Sequence, residues 1–307
     1  MSGSCVGGGG PLGLGITLPF TPTLSDYGIF LRLTKLTQDC GFDSVWMADH
    51  VTGPSPNGTR AWLDVVTLLS NLCAHAPRLR IGTDVIVAAH RHPVLAAKML
   101  ATLDIVSGGR LIVGAGVGYI EKEFAELGAP FADRGAYTDE CIAIWKALWA
   151  PGVATYDGRW FTLRDTVAEP KPVQQPHPPI WVGSHAPPVL RRAVALADGW
   201  HPIYLGFAQY EAGVAALRAL AQAQGRTRPL TLSYSAGFGL VRPEPDTSDK
   251  RLPLTGSAEQ VIADIERFRA LGVTNLVFRP GAPDLTEAQA AAQIEFIARH
   301  VLPAVRR

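Results

Sequence analysis

An acid and an imidazole stand side by side in this sequence, where Asp49 and His50 directly follow the mostly apolar residues 44–48. A histidine titrates near neutral pH, so it can give or take a proton while a hydride is transferred. The pair is therefore the candidate catalytic group of the chain. The residues alone leave a structural alternative open, in which Asp49 caps the end of a strand and His50 is a satisfied hydrogen-bond partner.

A second carboxylate, Asp84, lies inside the otherwise apolar run of residues 81–85. A buried carboxylate without partners destabilises a fold by several kcal/mol. Asp84 is therefore expected to meet hydrogen-bond donors inside the protein, or else to reach solvent at the end of its strand.

Two segments combine glycines with free backbone N–H groups. Residues 114–118 read Gly-Ala-Gly-Val-Gly, and Trp181-Val-Gly-Ser184 leads into a predicted helix. Glycine lets a ligand approach the backbone, and the first N–H groups of a helix bind anions, so the second segment predicts a phosphate site. Ordinary N-capping by Ser184 is the alternative. The glycine spacing of the first segment does not match the dinucleotide fingerprint, which excludes a Rossmann fold.

The cysteine and histidine patterns give no metal site. The four cysteines have no C-x-x-C spacing and are expected to be buried free thiols in a reducing cytoplasm. His90 and His92 follow the third predicted strand, whereas metal-dependent barrel hydrolases usually carry such a pair after the first. His201 and Arg279, near the ends of later strands, are assigned to core or rim structure.

Short apolar runs rich in β-branched residues alternate with longer runs of helical period, which predicts repeated βα units. The eight predicted strands are residues 15–20, 44–48, 79–87, 111–115, 179–183, 199–203, 230–240 and 273–279. The eight predicted helices are residues 27–40, 61–75, 93–106, 133–149, 186–197, 207–224, 257–271 and 286–304. Eight such pairs predict the α/β class and a (β/α)8 TIM barrel, whose active sites lie at the carboxyl ends of the strands.

Two stretches depart from this repeat. Asp157 and Gly158 stand between aromatic and β-branched residues, which predicts a hairpin insertion between the fourth helix and the fifth strand. Residues 242–253 form a polar loop rich in Pro, Asp and Ser after the seventh strand, either an active-site lid or a plain solvated loop.

The composition favours a small-molecule substrate. Among 307 residues, 28 Lys and Arg stand against 27 Asp and Glu, so no charge excess suggests nucleic acid or a membrane surface as a partner. Residues 1–14 are predicted to be a flexible tail, and residues 15–307 a single barrel domain. The tail lacks the pattern of a signal peptide, which predicts a cytoplasmic protein, and a homodimer is left open.

The sequence resembles the luciferase-like monooxygenases over nearly its whole length, from Gly15 to Val301. The motifs that carry the resemblance are Val45-Trp-Met-Ala-Asp-His50, Ile81-Gly-Thr-Asp-Val85, Arg91-His-Pro93, Leu103-Asp-Ile-Val-Ser-Gly-Gly-Arg110, Gly114-Ala-Gly-Val-Gly118, Pro179-Ile-Trp-Val-Gly183 and Ala197-Asp-Gly-Trp200. Within the superfamily, the segments around Asp49-His50 and Gly82–Val85 look more like the branch that uses the deazaflavin coenzyme F420 than the branch that uses reduced FMN and oxygen.

The resemblance implies a set of site residues. It makes His50 the acid or base beside the deazaflavin, with Asp49 next to it, and makes the Asp84–Val85 bond a bulge or a non-prolyl cis peptide behind the ring. The implied cofactor-binding residues are Thr83, Asp84, Val85, Gly116, Gly118, Tyr119, Val182, Gly183 and Ser184.

One departure concerns the substrate. Glucose-6-phosphate dehydrogenases of the F420 branch have a glutamate where this chain has Tyr119, and no basic cluster matches their sugar-phosphate site, which argues against such a substrate. Glu121 and Glu123 follow closely and are an alternative source of that carboxylate, but a favourable interaction with the helix dipole is their simplest explanation.

The resemblance and the rim residues together predict an F420-dependent oxidoreductase, which transfers a hydride between the deazaflavin and a small organic substrate. An FMN-dependent monooxygenase that acts with oxygen is the first alternative. A barrel that binds flavin or another ligand without catalysis is the second, against which the Asp49-His50 pair argues.

Overall fold

The chain folds into a closed parallel barrel in a computed structural model that describes residues 5–20, 26–52, 62–281 and 285–306. The barrel strands are β1 (Gly13–Thr17), β2 (Ser44–Met47), β3 (Arg80–Thr83) with its continuation β4 (Ile86–Val87), β5 (Leu111–Gly116), β8 (Ile180–Val182), β9 (Gly199–Trp200), β10 (Thr231–Ser235) and β13 (Val273–Phe278). Their order is β3-β2-β1-β13-β10-β9-β8-β5, and β3 also pairs with β5, which closes the ring. The predicted (β/α)8 barrel is confirmed.

Helices follow the barrel strands and cover the outside of the barrel. They are α1 (Tyr27–Asp39), α2 (Val65–His75), α3 (Pro93–Val106), α4 (Glu121–Leu127), α5 (Arg134–Trp149), α6 (Pro187–Leu196), α7 (Phe207–Ala223), α8 (Ala258–Ala270), α9 (Glu287–His300) and α10 (Leu302–Val305), with a short 3-10 helix at Ala88–His90. Within the described ranges, none of these helices has the length and apolar character needed to cross a bilayer.

Local capping explains where several helices begin. Ser257 and Thr286 each form a capping box with the glutamine three residues later, so the hydroxyl accepts from the glutamine N–H and the amide oxygen accepts from the cap N–H. Asp64 caps α2 by accepting from the Thr67 N–H at 2.8 Å. This cap places the start of α2 a few residues later than the predicted 61.

The predicted hairpin insertion is confirmed. Strands β6 (Ala154–Asp157) and β7 (Thr162–Thr166) pair antiparallel, with Asp157 opposite Thr162. The polar loop after β10 is bounded by two short paired strands, β11 (Val241–Arg242) and β12 (Gly256–Ser257). Arg251 in this loop donates two hydrogen bonds of 2.7 Å to Asp264 of α8, which ties the loop to the outer layer.

The third predicted strand is interrupted rather than continuous. β3 pairs with β2 and β5, β4 pairs with β5, and Asp84 and Val85 lie between the two pieces. The Asp84–Val85 peptide bond is cis, one of the two geometries that the family resemblance implied.

The amino-terminal segment differs from the predicted tail of residues 1–14. β1 begins at Gly13, and Val6 is buried in a bridge to Leu230. The N–H of Gly8 donates to the carbonyl of Gly272 at 3.0 Å. Residues 5–8 therefore pack against the barrel, because the apolar Val6 side chain gains a buried environment there.

Candidate active site

His50 lies at the carboxyl end of β2 and is held by an acid from another element. Its Nδ1 is 3.1 Å from Oε2 of Glu123, in the first turn of α4. The imidazole packs against Trp62, with ring centroids 4.5 Å apart, and meets Tyr119 edge-on at 5.9 Å. The His50 side chain is 11% exposed, so the ring is shielded but not sealed from solvent.

Glu123 is buried and connects α4 to the loop after β2. Its Oε1 accepts hydrogen bonds from the backbone N–H groups of Val51, at 2.7 Å, and Thr52, at 3.2 Å, while Oε2 faces His50. Burial raises the pKa of Glu123, but the hydrogen bonds from Val51 and His50 outweigh it and leave the pKa below its usual value. Glu123 is therefore an ionised acceptor at neutral pH. A favourable interaction with the helix dipole does not account for its specific hydrogen bonds to His50, Val51 and Thr52.

Asp49 occupies a different environment from its neighbour His50. Its buried carboxylate accepts from Arg91 at 2.7 and 2.9 Å and from the Val87 N–H at 3.0 Å. Arg91 also donates to Asp64, the cap of α2, at 2.6 Å. The structure therefore pairs Asp49 with Arg91 and His50 with Glu123. Asp49 and His50 do not pair with each other, because successive side chains of an extended segment point in different directions.

His90 lies between the two carboxylates. Its Nδ1 is 3.8 Å from Asp49 and its Nε2 is 3.8 Å from Glu123, and neither nitrogen has a hydrogen-bond partner among the residues that the structure describes. Burial lowers the pKa of His90, and this effect exceeds the opposing effect of the two nearby carboxylates. His90 is therefore neutral at neutral pH.

Asp84 meets hydrogen-bond donors inside the barrel, which is the first of the two alternatives that the sequence left open. Its Oδ2 accepts from Thr17 and Ser235, both at 2.8 Å, and from the guanidinium of Arg279. His201 Nε2 lies 3.2 Å from the other oxygen. Burial raises the pKa of Asp84, but Arg279 and His201 outweigh it and hold the pKa well below its usual range.

His201 and Arg279 are core residues, as the sequence indicated, and both contact Asp84. Both side chains are buried, and the two residues directly follow β9 and β13. The His201 ring stacks on Trp46, with centroids 4.8 Å apart, and its Nδ1 is 2.7 Å from the Ser233 hydroxyl. The sequence offered one signal for these contacts that was not used: the buried carboxylate of Asp84 needs a buried basic partner, which Arg279 and His201 provide.

The residues beside Asp84 build the barrel wall. Thr83 is buried, and its hydroxyl donates to the Gly114 carbonyl at 2.8 Å. Val85 fills the space beside Gly116, where a Cβ would come within 2.4 Å of Val85 Cγ2. Gly116 is thus required by the close approach of Val85, and Val182 is a buried core residue of β8.

The loop after β5 places an aromatic ring at the rim. Gly118 has φ of +76°, which favours glycine, and a Cβ there would meet the Phe124 ring at 2.6 Å. Tyr119 is 72% exposed beside His50. The turn and the packing of Phe124 therefore explain why position 118 requires glycine. Within the described ranges, the Gly118 N–H donates to no protein acceptor.

The start of α6 does not supply the helix N–H donors that the sequence predicted for a phosphate site, and the phosphate site itself stays a prediction. The helix begins at Pro187 and Pro188, which carry no N–H, and its cap is Ala186 rather than Ser184. The Gly183 N–H donates to Ala115 in the barrel ladder at 3.0 Å. Ser184 lies in the loop between β8 and α6. Its φ of +79° is unusual for a residue with a side chain.

The loop after β8 and the glycine loop after β5 both carry backbone N–H donors. Within the described ranges, the backbone N–H groups of Gly118, Ser184, His185 and Ala186 donate to no protein acceptor. β5 and β8 pair side by side, so both loops leave the same edge of the barrel. In the described part of the chain, no group of three or more His, Cys, Asp or Glu side chains is arranged to hold a metal ion.

The sequence profile of the luciferase-like monooxygenases matches residues 14–247. Phthiodiolone/phenolphthiodiolone dimycocerosates ketoreductase from Mycobacterium kansasii is 32% identical over 222 residues, which cover 66% of this chain and 60% of that enzyme. This chain thus matches less than two thirds of that relative's length.

Two solved structures show the same fold. An F420-dependent secondary alcohol dehydrogenase, in complex with an F420-acetone adduct, superposes with a TM-score of 0.81 at 18% identity and covers 97% of this chain and 100% of its own. A monooxygenase from Streptomyces bottropensis has a TM-score of 0.79 at 23% identity, covering 95% of this chain and 99% of its own. With its closed barrel and the profile match over residues 14–247, this protein belongs to the luciferase-like monooxygenase family.

Proposed function

We propose that the protein is an F420-dependent oxidoreductase that transfers a hydride between the deazaflavin and a small substrate of the alcohol–carbonyl type. The observation that carries the proposal is His50, a partly exposed imidazole at the barrel rim whose Nδ1 is held by a buried acid. The comparisons support the same class of chemistry, since the M. kansasii relative is named a ketoreductase and one similar structure is an F420-dependent alcohol dehydrogenase.

The donors on the rim fit the phosphate of such a cofactor. In the described part of the chain, four backbone N–H groups, on Gly118 and residues 184–186, donate to no protein acceptor, and such a group of donors suits an anion. Ser184 adds a hydroxyl at a backbone conformation that ordinary loops avoid, and such conformations concentrate at ligand sites. These residues would hold the phosphate, and the wall around Val85 would lie behind the ring.

The chain's own contribution to the reaction is orientation and a proton. When bound, F420 supplies a carbon centre that gives or accepts a hydride. His50 accepts the hydroxyl proton of an alcohol substrate while the alcohol carbon gives up a hydride. In the reverse direction, His50 returns a proton to the carbonyl oxygen. Trp62 and Tyr119 shield the imidazole on two sides, which limits water around the proton transfer.

Parallel titration of the purified protein with F420 and with FMN tests the proposal. We expect tighter binding of F420, followed by reduction of bound F420 when short secondary alcohols are added. Tighter binding of reduced FMN, with turnover that consumes oxygen, would instead assign the protein to the monooxygenases. Binding of either cofactor without turnover of alcohol, ketone or oxygen would favour a non-catalytic barrel.

A further inference from the structure

Glu123 stands between two histidines, and only one of them is close enough to bond. Its Oε2 is 3.1 Å from Nδ1 of His50 but 3.8 Å from Nε2 of His90. Its other oxygen is occupied by the N–H groups of Val51 and Thr52. Glu123 therefore fixes the loop after β2 through one oxygen and the catalytic candidate through the other.

The hydrogen-bond chemistry determines which nitrogen of His50 carries the proton. Glu123 has a lowered pKa, so its carboxylate is ionised at neutral pH and can only accept hydrogen bonds. The His50 Nδ1 must then be the donor, and in the neutral ring Nε2 is left as the acceptor. Nε2 has no hydrogen-bond partner within the described ranges.

The charges around Glu123 also favour His50 as its partner. In the described part of the chain, no Lys or Arg forms an ion pair with Glu123, since the nearby Arg91 is engaged by Asp49 and Asp64. His90, on the other side, is neutral because it is buried. An imidazolium at His50 is therefore the cation that this buried carboxylate is placed to balance.

We propose that Glu123 is a positioning residue that holds His50 with Nδ1 protonated and Nε2 free, and that its charge compensates the imidazolium formed when Nε2 takes a proton from the substrate. The inference rests on the proposed function for the role of that proton, but its tautomer can be measured without any cofactor. A base oriented by a third group in this way is the arrangement that general-base catalysis uses elsewhere.

A purely structural role for Glu123 makes a different prediction. If the residue served only to fix residues 51 and 52, any side chain that accepts from those N–H groups would suffice. Glu123→Gln separates the two roles, because the amide oxygen can still accept from Val51 and Thr52 while the amide N–H₂ faces His50. A donor in that place requires Nδ1 to become the acceptor, which moves the ring proton to Nε2.

Nitrogen-15 NMR of the imidazole side chains in the protein without cofactor tests the tautomer directly. The His50 signals are assigned by their loss in His50→Gln. We expect Nδ1 to be protonated in the neutral ring of the wild type and Nε2 to be protonated in Glu123→Gln. An Nε2-protonated ring in the wild type would overturn the proposal without reference to any variant, so a variant that fails to fold does not leave it undecided.

Single-turnover hydride transfer at saturating F420 tests the consequence. We expect Glu123→Gln to react at least about 100-fold more slowly, in the range for loss of a general acid or base, with F420 affinity within about threefold of the wild type. The matched control is Glu121→Gln, an exposed glutamate in the same turn, which should react normally. A Glu123→Gln protein with an altered tautomer but an unchanged rate would overturn the catalytic part of the proposal, and the proposed function would stand.

An inactive wild type would have a different meaning. If the wild-type protein transferred no hydride with F420, the proposed function would fail, while the NMR result would still decide the tautomer.

Discussion

Arg91 donates hydrogen bonds to both oxygens of the Asp49 carboxylate, at 2.7 and 2.9 Å, so the acid next to His50 in sequence is committed to a buried ion pair. The same guanidinium reaches Asp64 at the start of α2. Asp49 therefore links the strand end to the neighbouring helix, and its contribution is expected in stability rather than in proton transfer.

Asp49→Asn should lower the free energy of unfolding by about 1.5–3 kcal/mol, the usual contribution of hydrogen bonds to charged groups. An asparagine oxygen cannot balance Arg91 or accept both of its hydrogen bonds. Urea unfolding measures the loss, and the hydride-transfer rate of folded protein should stay within about threefold of the wild type. Asp157→Asn, in the exposed pair with Arg164, should change stability by less than about 0.5 kcal/mol. A large rate loss in folded Asp49→Asn would return this residue to a catalytic role.

His50→Ala should give the opposite pattern. General acid or base groups contribute about 10²–10⁴-fold, so the barrier should rise by roughly 3–5 kcal/mol, while F420 affinity changes by less than about threefold. Stopped-flow measurement at saturating cofactor separates the two quantities. If a correctly folded His50→Ala protein reacted within threefold of the wild type, His50 would have only its packing role against Trp62 and Tyr119.

The barrel could be predicted because its signals are local. β-branched runs, helical periods and the capping boxes at Ser257 and Thr286 each lie within a few residues. Even the missing helix donors at α6 were visible in the sequence, since Pro187 and Pro188 have no N–H. The predicted helix, residues 186–197, already contained both prolines, so the expectation of free helix N–H groups did not take them into account.

The site was less predictable because its partners are distant in sequence. Asp84 receives hydrogen bonds from Thr17, Ser235 and Arg279, which are 67, 151 and 195 residues away. Glu123 is 73 residues from His50. Such pairs arise from strand order and register, which a single sequence specifies only through the complete fold.

Ser184 allows backbone strain and ligand binding to be separated with two variants. Ser184→Gly and Ser184→Ala both remove the hydroxyl, but only glycine adopts φ of +79° without cost. Ser184→Gly should be more stable than Ser184→Ala by about 1 kcal/mol in urea unfolding. Both should bind F420 about 3–10-fold more weakly, the loss expected for one hydrogen bond. Unchanged affinity in both variants would remove the Ser184 hydroxyl from the phosphate site.

Asp84 and Arg279 should be strongly coupled. Asp84→Asn leaves the buried guanidinium without its counter-ion, and Arg279→Met leaves the buried carboxylate without the guanidinium, so each single change should cost about 3–5 kcal/mol of unfolding free energy. The double variant removes both charges and should lose less than the sum of the two. A double-mutant cycle measured by urea unfolding gives the coupling, and additive losses would show that the pair contributes nothing as a pair.

His90 should make the protein less stable as the pH falls through the range where free histidines titrate. The charged and titratable groups around it are Asp49, Glu123, Arg91 and His50, and burial keeps its pKa below the usual value despite the two carboxylates. In the unfolded chain its pKa is about 6.5, so the unfolded state binds this proton first. The stability due to neutral His90 is thus fully present above about pH 6.5 and is lost as the pH falls toward the folded pKa, with a slope of up to about 1.4 kcal/mol per pH unit.

His90→Phe removes this proton from the balance while keeping a planar ring beside Phe124. Within the described ranges neither imidazole nitrogen has a hydrogen-bond partner, so the change should cost little at pH 8, because the substitution leaves no new donor or acceptor unpaired. Urea unfolding at pH 5, 6, 7 and 8 should show a flatter pH dependence in His90→Phe than in the wild type. His75→Gln, an exposed histidine at the end of α2, should keep the wild-type slope. A steric clash of the phenyl ring would lower stability equally at every pH, so only the slope decides, and an unchanged slope would mean that His90 takes up its proton in the folded protein as readily as in the unfolded chain.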